Sequence, residues 1–123
     1  MTVLDQAHGI PIDPDDAFHV MSNSRRRQVL LSLSQSEEPQ TASELAREIA
    51  AIENLVAPSE VTGEQRTTVY VALIQSHLEM MDDLGVVDYD ERGKRVEATE
   101  ATKPVANHIR EITSACYDPE GSE

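Results

Sequence analysis

Residues 66–87 read RTTVYVALIQSHLEMMDDLGVV, and residues 88–99 continue as DYDERGKRVEAT. In the first run Val69, Leu73, Met80 and Leu84 recur on one side at helical spacing, and Tyr70, Ile74, Met81, Val71 and Leu78 widen that side into a broad arc. Thr68, Ala72, Gln75, Glu79 and Asp82 fall opposite. So broad an arc predicts a helix over 64–84 that packs against several neighbours. Gly85 is its expected stop, because the left-handed residue that ends a helix is least costly as glycine. Val86–Asp90 and Arg95–Thr99 then read as two short strands around the turn Glu91-Arg92-Gly93-Lys94. A long helix, a glycine stop and a small basic hairpin predict a mainly α fold with one β-hairpin, an α+β class.

Upstream, Asp13-Pro14 starts a helix with proline in the first turn and Asp15 and Asp16 near its positive end, and Phe18, Val20 and Met21 are expected to point inward. Ser22-Asn23-Ser24 is a break rich in N-cap residues, after which Val29, Leu30 and Leu33 form the apolar stripe of a second helix ending near Ser34. Ser36–Gln40 is a loop. Thr41 and Glu44 have the spacing of a capping box opening SELAREIAAIENL, with Leu45, Ile49 and Ile52 as the expected buried face. A polar connection over 56–63, containing Pro58 and Gly63, leads to the long helix. Beyond the hairpin Ala101, Val105, Ile109, Ile112 and Cys116 make one narrow stripe on a terminal helix. The expected organisation is a flexible segment 1–12, a domain 13–100, a C-terminal helix 101–117 and a disordered tail 118–123.

The chain of 123 residues suits one domain. It has no tryptophan and one phenylalanine, so Leu, Val, Ile, Met and Ala must build the core. Its single cysteine, Cys116, excludes an intrachain disulfide, and together with the lack of a targeting segment this points to a cytoplasmic protein with no membrane association. The formal net charge is −13, with nine Asp and fourteen Glu against two Lys and eight Arg. Such an excess of carboxylates, with salt cations at the acidic surface, is read as halophilic. At about 1 M salt the Debye length is about 3 Å, so the acidity does not veto contact with DNA. Seven of the ten cations fall at Arg25, Arg26, Arg27, Arg66, Arg92, Lys94 and Arg95, whereas 37–64 holds seven glutamates and one arginine.

Ser43-Glu44-Leu45-Ala46, followed by Ser76-His77-Leu78, Met81 and Leu84-Gly85-Val86-Val87, resembles the pattern of winged helix-turn-helix repressors of the arsenical-repressor and multiple-antibiotic-repressor kind. Ser22–Arg27, Thr68-Val69-Tyr70 and Gly85–Asp90 add a resemblance to short acidic haloarchaeal winged-helix proteins of largely unassigned function. The resemblance spans residues 22–99. It implies a DNA-binding transcriptional regulator of a halophilic archaeon, with helix 64–84 in the major groove and hairpin 86–99 as the wing. The connection 56–63 is longer than the three or four residues joining the helices of a plain helix-turn-helix.

On that reading Arg66 and Thr67 meet phosphate and base edges, Thr68 and Gln75 hydrogen-bond bases, and Val71 or Ala72 touches a thymine methyl. Arg92, Lys94 and Arg95 set the wing against the backbone or minor groove, and Arg25, Arg26 and Arg27 clamp phosphate. Palindromic double-stranded DNA asks for a homodimer, for which Val105, Ile109, Ile112 and Cys116 offer an interface. The four histidines form no i, i+4 ligand pair, His77 reads as a packed or capping residue, and Cys116 reads as a buried, inert thiol. No nucleophile, acid pair or phosphate loop is visible, so the expectation is a non-enzyme without cofactor or metal. The competing reading keeps the fold but makes it a protein-interaction module that does not bind DNA.

Overall fold

Asp13 opens the first helix as its N-cap, with its carboxylate accepting from the Asp15 amide at 2.8 Å. The computed structural model describes residues 9–116. Residues 1–8 and 117–123, which hold most of the expected flexible segment and all of the expected tail, lie outside the described residues. Helix α1 runs Pro14–Met21, and α2 runs Ser24–Gln35 behind the Asn23 cap. Strand β1 is Gln40–Thr41, and α3 is Ala42–Asn54 with the Thr41/Glu44 capping box formed as expected. A short 3-10 turn, Pro58–Glu60, precedes the long helix. That helix is α4, Gly63–Ala72, continued by a π turn over Leu73–His77 and by α5, Leu78–Asp83. Strands β2, Val87–Asp90, and β3, Arg95–Ala98, form the hairpin, and α6 is Thr102–Cys116. Among the described residues no helix is long and apolar enough to cross a membrane.

The fold is therefore mainly helical with a small antiparallel sheet, whose third strand the sequence did not reveal. Its order is β1-β3-β2. Gln40 pairs with Val96 and Thr41 with Arg95, and the Ala42 amide donates to the Lys94 carbonyl at 2.8 Å. The start of α3 is thereby tied to the hairpin. Val87, Tyr89 and Val96 alternate inward on the sheet and are buried.

The core gathers Val29, Leu30 and Leu33 of α2, Leu45 and Ile49 of α3, and Val69 and Leu73 of α4. Ile52, expected on the buried face of α3, is 48% exposed, and Ala42, Ala46, Ala50 and Ala51 fill that face instead. Small residues there let α3 approach its neighbours closely. Phe18 likewise departs from expectation: it is 65% exposed, while Ala17 and Val20 carry the buried side of α1.

The π turn explains a further difference. The Leu78 amide donates to the Leu73 carbonyl, five residues back, so one extra residue is wound into the helix. Downstream of it the stripe moves by one position. Leu78 and Met81 are fully buried, whereas Met80 and Leu84, which an unbroken helix would put inward, are only partly covered. Val71 is exposed rather than part of the buried arc.

Helices α3 and α5 end in the same motif. At each, the residue with positive φ donates three back and the next residue donates five back: Leu55 to Ile52 and Val56 to Ala51, then Gly85 to Asp82 and Val86 to Met81. The left-handed position is Gly85 as expected in one case and Leu55 in the other.

Helix α6 lies along α2, joined by Arg110 Nη2 to Ser34 Oγ at 2.7 Å. Its start is anchored by the buried Thr102 hydroxyl, which donates to the Val86 carbonyl at 2.6 Å. Val105 and Ile109 are buried in the protein's own core, which corrects their assignment to a dimer surface.

Candidate nucleic-acid interface

The triplet Arg25-Arg26-Arg27 is engaged within the fold, not presented to a ligand. Arg26 is 7% exposed and reaches back to the end of α1, donating from Nε to the Val20 carbonyl at 3.1 Å and from Nη2 to the His19 carbonyl at 2.7 Å. Arg27 Nη1 donates to the Met21 carbonyl at 2.7 Å. Two guanidinium groups thus cap three successive carbonyls that a helix C-terminus leaves without intrahelical partners, at the negative end of its dipole. Arg25 makes a two-pronged ion pair with Glu53, at 2.7 and 2.8 Å, joining the start of α2 to the end of α3. The Arg25 hydrogen bonds hold the Glu53 carboxyl below its ordinary range. The phosphate clamp expected of Arg25, Arg26 and Arg27 is therefore corrected: these cations hold helices together.

Arg26 Nη1 also lies 3.2 Å from His77 Nδ1, on the π turn. Because a guanidinium only donates, that ring nitrogen must accept, and His77 is neutral with its proton on Nε2. Burial first, and then the Arg26 and Arg25 charges, push the imidazole below its ordinary value. The packed role expected of His77 is what the contact provides.

The remaining cations lie on a different part of the molecule. Among the described residues Arg25–Glu53 is the arginine or lysine ion pair, so no carboxylate pairs with the side-chain cation of Arg47, Arg66, Arg92, Lys94 or Arg95. Arg66, half-buried, lines a cavity of about 210 Å³ together with Arg47, Pro58, Val61, Thr62 and Gly63. This is the start of α4, where Thr62 and Gln65 form a capping box. Thr67, Thr68, Val71 and Gln75 are exposed on α4 and the π turn. Thr68 Oγ1 donates to the Glu64 carbonyl at 3.0 Å, which leaves its lone pairs outward.

Arg47 was not among the residues the sequence singled out. Its signal was present but submerged: it is the lone cation of an acidic stretch, on the exposed side of α3, at a spacing that turns it toward the start of the next helix.

At the hairpin tip the Asp90 carboxylate accepts from the Arg92 amide at 3.1 Å. A Cβ on Gly93 would lie 3.0 Å from Asp90 Oδ2, a tight contact that the exposed Asp90 side chain would have to relieve. The positive φ of the turn, 54°, falls instead on Lys94. Lys94 and Arg95 sit beside Thr41 and Ala42 through the β1–β3 pairing, so α3 runs from the hairpin at its first turn to the Arg66 cavity at Arg47.

Residues 18–97 match a protein family described as a domain of unknown function (DUF7344), and the chain belongs to that family. No curated protein and no solved structure matches the chain.

Proposed function

We propose that this chain is a DNA-binding transcriptional regulator of a halophilic archaeon with a winged helix-turn-helix domain: α3 and α4 are the paired helices, the hairpin is the wing, and the working form is a cytoplasmic homodimer. The observation that carries the reading is the segregation of cations. Those that begin α2 are bonded inside the fold, while Arg47, Arg66, Lys94 and Arg95 stand clear of carboxylates along one route from the hairpin over α3 to the start of α4. A helix start flanked by two guanidinium groups suits a phosphate oxygen. The exposed Thr68, Val71 and Gln75, at i, i+3 and i+7, then offer two polar groups and one methyl-bearing group to base edges. A left-handed lysine beside an available glycine is a strained choice that keeps a cation at the wing tip.

The alternative, an interaction module that does not bind DNA, draws support from the engagement of Arg25, Arg26 and Arg27 in the fold, which leaves fewer cations for phosphate. Fluorescence anisotropy separates the two. Wild type and an Arg66→Ala/Arg95→Ala variant are titrated with upstream fragments and random duplex in KCl from about 0.5 to about 3 M. The regulator binds one fragment tightly and the folded variant loses at least about tenfold in affinity. No preference over random duplex at any salt rejects it. Arg47→Ala is expected to weaken binding to all sequences alike, as a phosphate contact does.

A further inference from the structure

We infer that α4 and the π turn that continues it read A·T base pairs in the major groove through Thr68, Val71 and Gln75, and select against guanine over the stretch they cover. The inference rests on the DNA reading above and names the class of sequence that the helix recognises. Beyond Arg66 the long helix carries no lysine, arginine or asparagine as far as Leu84. Its exposed side chains over 67–84 are three hydroxyls, one amide, one valine and two carboxylates. The carboxylates, Glu79 and Asp83, lie on α5 beyond the π turn, where phosphate repels them, so the reading stretch ends at Gln75.

The groups on that stretch fit adenine and thymine and leave guanine unmatched. Guanine presents two acceptors, N7 and O6, which ask for a cation or a forked donor, and the helix has none past its first turn. Arg66 lines the cavity at the helix start together with Arg47, and Glu64, one turn before Thr68, is an acceptor. Adenine presents an acceptor beside a donor, at N7 and N6, and the amide of Gln75 offers the complementary donor and acceptor. The Thr68 hydroxyl has given its proton to the Glu64 carbonyl, at 3.0 Å, so toward the groove it can only accept, as it would from an adenine amino group. Val71, 41% exposed between the two, holds its methyls outward, where the thymine methyl is the apolar group of the major groove. From Thr68 to Gln75 the helix advances about 10 Å at about 1.5 Å per residue, the length of about three base pairs.

The test is selection of bound duplexes from a random-sequence pool in about 1 M KCl, followed by anisotropy on the selected site with single bases replaced. Wild type selects sites with a core of about three consecutive A·T pairs. Uracil for thymine removes only a methyl, and 7-deazaadenine for adenine removes only the N7 acceptor, both in the major groove. Each replacement lowers wild-type affinity, the second by about fivefold or more. Val71→Ala no longer responds to uracil, and Gln75→Ala no longer responds to 7-deazaadenine. Gln75→Arg moves the preference at one pair from adenine to guanine. These positions are exposed, so the variants keep the wild-type circular dichroism. A selected core rich in guanine overturns the inference and leaves the DNA reading standing. An A·T preference that survives both replacements and both alanine variants overturns it too, because it then resides in the minor groove or in DNA shape. If folded wild type enriches no sequence at all, the DNA reading fails and this inference fails with it.

Discussion

Arg26 is the residue on which three helices depend. Its guanidinium satisfies the last carbonyls of α1, accepts no charge partner, and donates to His77 on the π turn, so its positive charge is held by dipoles rather than by a carboxylate. A lysine there has a point charge and no planar fork to serve carbonyls and imidazole at once. Arg26→Lys should therefore cost about 2 kcal/mol by urea unfolding, whereas removing the half-exposed Arg25–Glu53 pair should cost about 0.5–1 kcal/mol. The same contact fixes a pH dependence. His77 titrates below its ordinary 6.5 in the fold, so the unfolded chain takes up its proton first on acidification. The stability contributed by neutral His77 is complete above about pH 6.5 and falls as pH drops from there through the lower folded value. Unfolding measured from about pH 8 to about pH 5 should show this loss, and His77→Gln, which keeps an acceptor for Arg26, should flatten it. An unchanged profile in that variant would assign the acid sensitivity elsewhere. The exposed thiol of Cys116, expected to be buried, belongs to the same scale: an apolar period puts a residue on a face, but whether the core extends far enough to cover it is decided by the partner helix.

At the scale of elements, local chemistry was legible where it was covalent or conformational. The caps at Asp13, Asn23 and Thr41, the stop at Gly85 and both hairpin strands follow from residue types whose side chains or backbone preferences act within a few positions. Strand β1 was not legible, because two residues of strand hold no period of their own and exist only by pairing with β3. The π turn was hidden for a related reason: the partner that His77 meets there, Arg26 of α2, lies 51 positions away, outside the reach of any local pattern. The end of α3 was read to within one residue, but its left-handed cap was hidden because leucine does not announce such a position. Leu55 sits at φ 56° with its side chain 91% exposed, so it bears the conformational cost without any burial in return. Leu55→Gly should raise stability by about 0.5–1 kcal/mol, read as a shifted urea midpoint with unchanged slope. A loss instead would mean that the leucine is covered by a contact outside the folded monomer.

For the molecule as a whole the decisive quantity is where charge accumulates. The cation clusters were visible in the sequence, but their separation into a structural set at Arg25–Arg27 and an outward set at Arg47, Arg66 and the hairpin depends on which carbonyls and carboxylates the fold brings near, and no spacing encodes that. The carboxylates show the reverse. Glu37, Glu38 and Glu97 line one surface hollow with no cation among its lining residues, although 59 positions separate Glu38 from Glu97. Repulsion among them, added to a net charge of −13, opposes folding until salt shortens its range from about 10 Å at 0.1 M to about 3 Å at 1 M. Thermal unfolding should therefore move up by several degrees between about 0.1 and about 1 M KCl, since about 1 kcal/mol corresponds to about 4–8 °C in a domain of this size. General exclusion of salt from the surface would also stabilise, but without regard to these particular charges. The triple variant Glu37→Gln/Glu38→Gln/Glu97→Gln separates the causes: relief of repulsion makes it more stable than wild type at low salt, with the difference closing as KCl rises. If the two proteins instead gain equally from salt at every concentration, the acidic surface is not what salt acts on, and the halophilic reading loses its physical basis.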